Sequence, residues 1–143
     1  MKTLSQILKE KSTEIITVRP NDSVYVALQV LATYNVGALP VVSSDGALMG
    51  IFSERDYARK VALRGLKSES TEVREVMSSS VICADLSMSV LDCMELMSDK
   101  KIRHLPVMDR KELIGILSIG DLVKAIIEAQ RFQIEQLEQY IKS

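Results

Sequence analysis

Gly50-Ile51-Phe52-Ser53-Glu54-Arg55-Asp56 and Gly115-Ile116-Leu117-Ser118-Ile119-Gly120-Asp121 are two renderings of one phrase. Each runs from a glycine through two apolar residues to Ser-x-x-Asp. Each follows a short apolar run, Leu48-Met49 or Leu113-Ile114, and so reads as the end of a strand turning into a helix. Moving outward, a shift of 66 residues lays Ile16 on Ile82, Ser23 on Ser89, Val24 on Val90, and Leu39-Pro40-Val41 on Leu105-Pro106-Val107. Past the turn at Asp45-Gly46 the shift becomes 65, which lays Gly50 on Gly115, Ile51 on Ile116, Ser53 on Ser118 and Asp56 on Asp121. Matches that keep their order over roughly 40 residues mark an internal duplication.

Both copies share a local grammar. An extended segment comes first, Glu14–Val18 or Ser80–Ala84. A polar helix start follows, Asn21-Asp22-Ser23 or Ser87-Met88-Ser89, whose side chains offer acceptors to the first free N–H groups. The helix carries apolar residues at helical spacing: Val24, Ala27, Leu28 and Leu31, or Val90, Met94 and Met97. The methionines read as core filler. A strand follows at Ala38–Val42 or His104–Met108, whose proline implies an edge position or a strand start because it has no N–H to donate. A polar turn then leads into the strand and second helix of the opening phrase. One such unit leaves an apolar sheet face bare, and two copies packed face to face would cover it. The expectation is an α+β fold, two tandem β-α-β-β-α units forming a pseudo-two-fold sandwich with a long C-terminal helix. The divisions are 1–66 for the first unit with an N-terminal helix, 67–128 for the second, and 121–143 for the C-terminal helix, with polar Leu63–Thr71 as the linker.

Bulk properties narrow the function. The chain has 143 residues, 47% of them hydrophobic and 26% charged, with a net charge of −1, which suits an ordinary globular chain. No apolar run is long enough to cross a bilayer, and the N-terminus lacks the pattern of a secretory signal. Without a basic excess, and with four Tyr, two Phe and no Trp, nucleic acid is not an expected partner. Cys83 and Cys93 sit among apolar residues and read as reduced core thiols of a cytoplasmic protein. One histidine and no Cys-x-x-Cys make a metal site unexpected. No nucleophile–base–orienter set is visible, so no enzyme is expected and no catalytic residue is assigned.

The repeated grammar, both Leu-Pro-Val triplets and both Gly-x-x-Ser-x-x-Asp ends resemble the cystathionine-β-synthase (CBS) domain, and two copies resemble a CBS pair, or Bateman module. The likeness covers nearly the whole chain. Ser53-Glu54-Arg55-Asp56-Tyr57 and Ile102-Arg103-His104-Leu105-Pro106 resemble free-standing members without an attached enzyme or channel. Two positions depart from the pattern: Leu86 stands where the first copy has Pro20, and Ser118 stands where threonine is common.

The resemblance implies an adenosyl ligand in clefts between the two halves, each cleft mixing residues of both copies. The chemistry of the residues suits that. A carboxylate accepts from both hydroxyls of a ribose, as Asp121 or Asp56 would. Ser118 or Ser53, three residues earlier, would meet ribose or phosphate oxygens beside a helix N-terminus. Ser-x-x-Asp is also a plain capping arrangement, and both readings stand at this point. Val36-Gly37-Ala38 would leave a slot for a flat adenine ring, whereas the second copy has bulkier, cationic Ile102-Arg103-His104. The preferred site implied by the family is Ile15, Ile16, Val36, Gly37, Ala38, Pro40, Arg55, Arg103, His104, Ser118 and Asp121. Ser53, Asp56 and Ile82 belong to a second, weaker site. His104 is open to a purely structural role, and Arg55 to an ion pair with Glu54 or Asp56.

The function implied is a regulatory, energy-sensing module in signal transduction with no required cofactor. AMP is the favoured ligand, with ADP, ATP or NAD as alternatives, because Arg55, Arg103 and His104 suit phosphates better than a sulfonium. The regulated protein partner is not named by the sequence. A structural adaptor with vestigial sites is the competing reading. From Asp121 to Ser143 there is neither Gly nor Pro, and Val123, Ile127, Ile134, Leu137 and Ile141 form an a/d seam interrupted by Gln130. That helix either packs on its own domain or, as favoured here, forms a homodimer contact.

Overall fold

The computed structural model describes residues 1–11 and 14–143. In chain order these form α1 (Leu4–Lys11), α2 (Val24–Tyr34), β1 (Ala38–Val42), β2 (Leu48–Ser53), α3 (Glu54–Tyr57), a π-helical turn (Ala58–Ala62), α4 (Val73–Val76), β3 (Ala84–Asp85), α5 (Val90–Lys100), β4 (His104–Asp109), β5 (Glu112–Ser118) and α6 (Ile119–Lys142). They fall into two compact units, Ile15–Ile82 and Met1–Glu14 with Cys83–Ser143. These are called the middle and the terminal unit below.

The middle unit is built as its pattern requires. Ser23 caps α2, its Oγ accepting from the Val26 N–H at 3.1 Å. Val24, Ala27 and Leu31, spaced to share one helix face, are buried. They join Leu39, Val41 and Phe52 of the β1–β2 hairpin in one apolar cluster. Each large side chain so buried contributes about 1.5–3 kcal/mol. Asn35 ends α2 in the left-handed region at φ 52°, a conformation asparagine tolerates.

The terminal unit repeats this design. Ser89 caps α5 by accepting from the Asp92 N–H at 3.0 Å, and Lys101 ends the helix at φ 54°. The antiparallel hairpins β1–β2 and β4–β5 both shift register just after the Leu-Pro-Val triplet, between Val41 and Val42 and between Val107 and Met108. A duplicated irregularity of this kind is a designed feature. On α5 the buried residues are Val90, Cys93 and Met97. Cys93, rather than the expected Met94, completes the inner face.

Three expectations change. Pro40 lies in β1, an edge strand of the two-stranded β1-β2 sheet, as expected, but Pro106 is the third residue of β4, the central strand of the β3-β4-β5 sheet. Pro106 is tolerated because the two-residue β3 pairs only with Val107 and Met108, so no ladder bond is required of its nitrogen. Within the expected linker Leu63–Thr71, residues 68–71 are packed onto the middle unit. The carbonyls of Thr71 and Ser68 accept from the Val24 and Tyr25 N–H groups at 2.8 and 3.0 Å, and Val73 and Val76 are buried. Finally, α1 precedes the first copy in sequence but packs within the terminal unit. Its Leu8 packs so closely on β5 that a Cβ on Gly115 would lie 2.7 Å from Leu8 Cδ2. Glycine stands there to admit α1.

Candidate functional site

Two helix starts hold the expected carboxylates, and the sheet places a different loop beside each. In the middle unit Ala38 lies opposite Ser53 in the hairpin, and Glu54 N–H donates to the Gly37 carbonyl at 3.1 Å. The small Val36-Gly37-Ala38 segment is thereby fixed against Ser53-Asp56. In the terminal unit His104 lies opposite Ser118, and Ile119 N–H donates to the Arg103 carbonyl at 2.9 Å. The same geometry therefore sets Arg103-His104 against Ser118-Asp121.

The carboxylates differ in what they have left to offer. Asp56 is 7% exposed and fully engaged. Its Oδ2 accepts from Ser53 N–H at 3.0 Å and Ser53 Oγ at 3.1 Å, while Oδ1 accepts from Ser78 Oγ at 3.2 Å and pairs with Lys60 Nζ at 3.1 Å. Its helix is only one turn long before the π-helical segment begins. Asp121 caps a helix of 24 residues. Its Oδ2 accepts from Ser118 N–H at 2.8 Å and pairs with Lys11 Nζ at 2.8 Å. Burial pushes the Asp121 carboxyl up, but the bond to the Lys11 ammonium and the Ser118 N–H outweigh it and hold the group below its ordinary value. Ser118 Oγ accepts from Asp121 N–H at 3.2 Å. Both helix starts are thus complete capping boxes. The capping reading of Ser-x-x-Asp holds at both, and the two differ in what else the carboxylate meets.

Of the other expected residues, Ala38 and Pro40 are buried, Ile16, Val36, Gly37 and Ile82 are half-buried, and Ile15 is exposed. All of these lie in the middle unit with Arg55, whereas Arg103, His104, Ser118 and Asp121 lie in the terminal unit. Arg55 is exposed. The ion-pair partner of Asp56 is Lys60 rather than Arg55. His104 is half-buried. The sequence reading missed Lys60, Ser78 and Lys11. Lys60 stands four residues after Asp56 on the same helical path, a spacing that was available. Ser78 and Lys11 reach their aspartates across the fold, and no local pattern announces them.

Among the described residues, no His, Cys, Asp or Glu group is arranged to hold a metal ion, and no helix is long and apolar enough to cross a membrane. Cys83 and Cys93 are free, and burial raises both thiols above their ordinary value.

The chain matches the family model of the CBS domain twice, over residues 5–63 and 73–128. It is 38% identical over 148 residues to the CBS domain-containing protein CBSX3, mitochondrial, of Arabidopsis thaliana, covering 98% of this chain and 72% of that protein. Among solved structures it resembles a signal-transduction protein with CBS domains from Burkholderia ambifaria MC40-6. That match has 47% identity and a TM-score of 0.84, covering 90% of this chain and 96% of the other. Two further neighbours carry ligands. The structure of CBSX2 in complex with AMP is 32% identical with a TM-score of 0.68, covering 81% of this chain and 90% of that one. The CBS domain pair of MJ0100, in complex with 5′-methylthioadenosine and S-adenosyl-L-methionine, is 27% identical with a TM-score of 0.79, covering 90% and 98%.

Proposed function

Because the chain belongs to the CBS-domain family, we propose that it is an adenine-nucleotide-binding regulatory module whose better ligand site is the start of α6. The observation that carries this reading is the contrast between the two aspartates. Asp56 is buried with both oxygens committed, whereas Asp121 is half-buried at the head of a long helix beside Arg103. Its carboxylate would accept the ribose hydroxyls, and Ser118 would support it. The positive dipole end of α6, with Arg103 beside it, favours an anionic ligand. AMP is the first choice, with ADP, ATP or NAD as alternatives, and no cofactor is required. The adenosyl ligands of the CBSX2 and MJ0100 structures support the ligand class. Signalling requires that the ligand bind one state of the protein better than another, and a partner protein would read that state. The free, proton-retaining cysteines suit a cytoplasmic protein.

Calorimetry with AMP, ATP, NAD and S-adenosylmethionine tests the reading. Heat with AMP, lost in Asp121→Ala, supports it. No heat with any of the four on folded protein defeats it and favours the adaptor reading, which draws on the saturation of Asp56.

The same proposal assigns α6 to a homodimer. From Gln130 to Lys142 every residue is exposed, including Ile134, Leu137 and Ile141 at 55%, 62% and 80%. A bare helix of that length is marginal in water. Ile127, Ile134 and Ile141 occupy the a positions, and Leu137 a d position. With Val123 and Gln130 at the other d positions, this is an Ile-rich seam suited to a two-stranded coiled coil, interrupted by one polar layer at Gln130. Light scattering is expected to give a dimer mass for the native chain and a monomer mass for Ile134→Glu/Leu137→Glu. A native monomer, or a double variant that stays dimeric, would defeat the assignment.

A further inference from the structure

The side chain that holds Asp121 comes from far away in the chain. Lys11 is the last residue of α1, and its Nζ lies 2.8 Å from Asp121 Oδ2 and 3.0 Å from the Ile116 carbonyl oxygen. The Ser118 N–H also donates to Oδ2, at 2.8 Å. A carboxylate oxygen has two lone-pair sites, so Oδ2 is saturated while Lys11 is in place. A vicinal diol binds a carboxylate best by donating to both oxygens, and here one of the two is taken. The hollow between α1 and α6 beside this pair has a volume of about 80 Å³, small against the roughly 300–1,000 Å³ of a typical small-molecule site.

The two units differ in how the locking lysine is tethered. Lys60 sits on the same helical path as Asp56, four residues on, and also donates to the Val76 carbonyl at 3.1 Å. Both lysines are about one-third exposed and each also donates to a backbone carbonyl, so what differs is that Lys60 shares its helical path with Asp56. Lys11 ends a separate helix whose hold on the unit is distributed elsewhere. Leu4 and Ile7 are buried, Leu8 packs on Gly115, and Lys2 bridges to Glu128 at 2.7 Å. Lys11 is about one-third exposed. Its ammonium can therefore swing to solvent while α1 stays docked.

Resting on the nucleotide reading above, we propose that Lys11 is a tethered competitor for the Asp121 carboxylate. A ribose-bearing ligand engages Asp121 fully only by displacing this ammonium. Lys11 thus sets the threshold for binding, and ligand occupancy is coupled to the C-terminal residue of α1.

The test is calorimetry with adenosine, a neutral diol, on the native chain, Lys11→Gln and Lys11→Arg, each at low and high salt. Lys11→Gln is expected to bind adenosine roughly two- to five-fold tighter at low salt, the scale of one partly exposed ion pair. Lys11→Arg, which keeps the charge, is expected to bind no tighter than the native chain. Salt screens the pair, so the native chain is expected to gain affinity at high salt and Lys11→Gln is not. A merely structural lysine would give no such salt signature. Folded Lys11→Gln that binds as the native chain does, or more weakly, overturns the competitor while leaving the nucleotide reading intact. So does a Lys11→Arg variant that matches Lys11→Gln. Adenosine binding to none of the three overturns both.

Discussion

The middle and terminal units use the same capping box for opposite ends. In the middle unit Asp56 is locked by Ser53, Ser78 and Lys60, all of that unit, at 7% exposure. In the terminal unit Asp121 keeps the Ser118 bond but owes its charge balance to Lys11 on a separate helix, and its side chain is 20% exposed. Duplication preserved the backbone frame down to the register shift and the left-handed helix ends. What diverged is the set of residues arriving from outside the local phrase. A shared motif therefore shows where a carboxylate sits, and its distant neighbours decide whether it is structural or available.

The largest difference expected between the units is in stability. Asp56→Ala strands the Ser53 N–H, Ser78 hydroxyl and Lys60 ammonium together. It is expected to cost about 2–3 kcal/mol in urea unfolding, a lost cap plus unpaired polar groups. Asp121→Ala is expected to cost only about 1 kcal/mol, the ordinary value of a lost cap, and to act mainly on ligand affinity. Equal stability costs would break the comparison.

Next come the paired glycines. A Cβ on Gly50 would lie 2.8 Å from both Met77 Sδ and the Ser78 backbone oxygen, whereas one on Gly115 meets only the side chain of Leu8, at 2.7 Å. Backbone cannot turn aside, but the end of a leucine can. Gly50→Ala is expected to cost about 1–3 kcal/mol, as overpacking does, and Gly115→Ala less, with thermal melts as the readout. The reverse order would mean that α1 is held more rigidly than its contacts imply.

Acid titration reads the Lys11–Asp121 pair. The folded Asp121 carboxyl lies below its ordinary value of 3.8. Its contribution is fully present above the unfolded value and is lost as pH falls through the folded one. The native chain is expected to lose stability below about pH 4, and Asp121→Asn to lose less over that window. An unchanged acid limb would contradict the Lys11–Asp121 pairing.

The smallest effect concerns the helix ends. Asn35 and Lys101 share a left-handed conformation, at φ 52° and 54°, but only asparagine tolerates it readily. Lys101→Asn is expected to stabilise by about 0.5 kcal/mol, read as a small rise in melting temperature, and Asn35→Lys to do the reverse.

Most of the frame was legible in the sequence because it is local. Ser23 and Ser89 announce helix starts, Val24, Ala27 and Leu31 a buried face, and the Gly-x-x-Ser-x-x-Asp phrases a strand-to-helix turn. What escaped was long-range. Nothing near Leu8 says that it packs on Gly115, so the packing of α1 with the terminal unit is not legible in the sequence. Leu63–Thr71 looked like a linker because it is polar, yet its carbonyls serve the first turn of α2. The aspartates were found, but Lys11 and Ser78, which decide their state, lie 110 and 22 residues away in the chain from Asp121 and Asp56.

The most direct measurement is an AMP titration followed by backbone amide shifts in the 15N-labelled native chain. The account expects the largest shifts at Ser118, Ile119 and Asp121, with Lys11 responding and Ser53–Asp56 moving little. Shifts centred on Ser53–Asp56 with Ser118–Asp121 still, or no shifts at millimolar AMP, would contradict it.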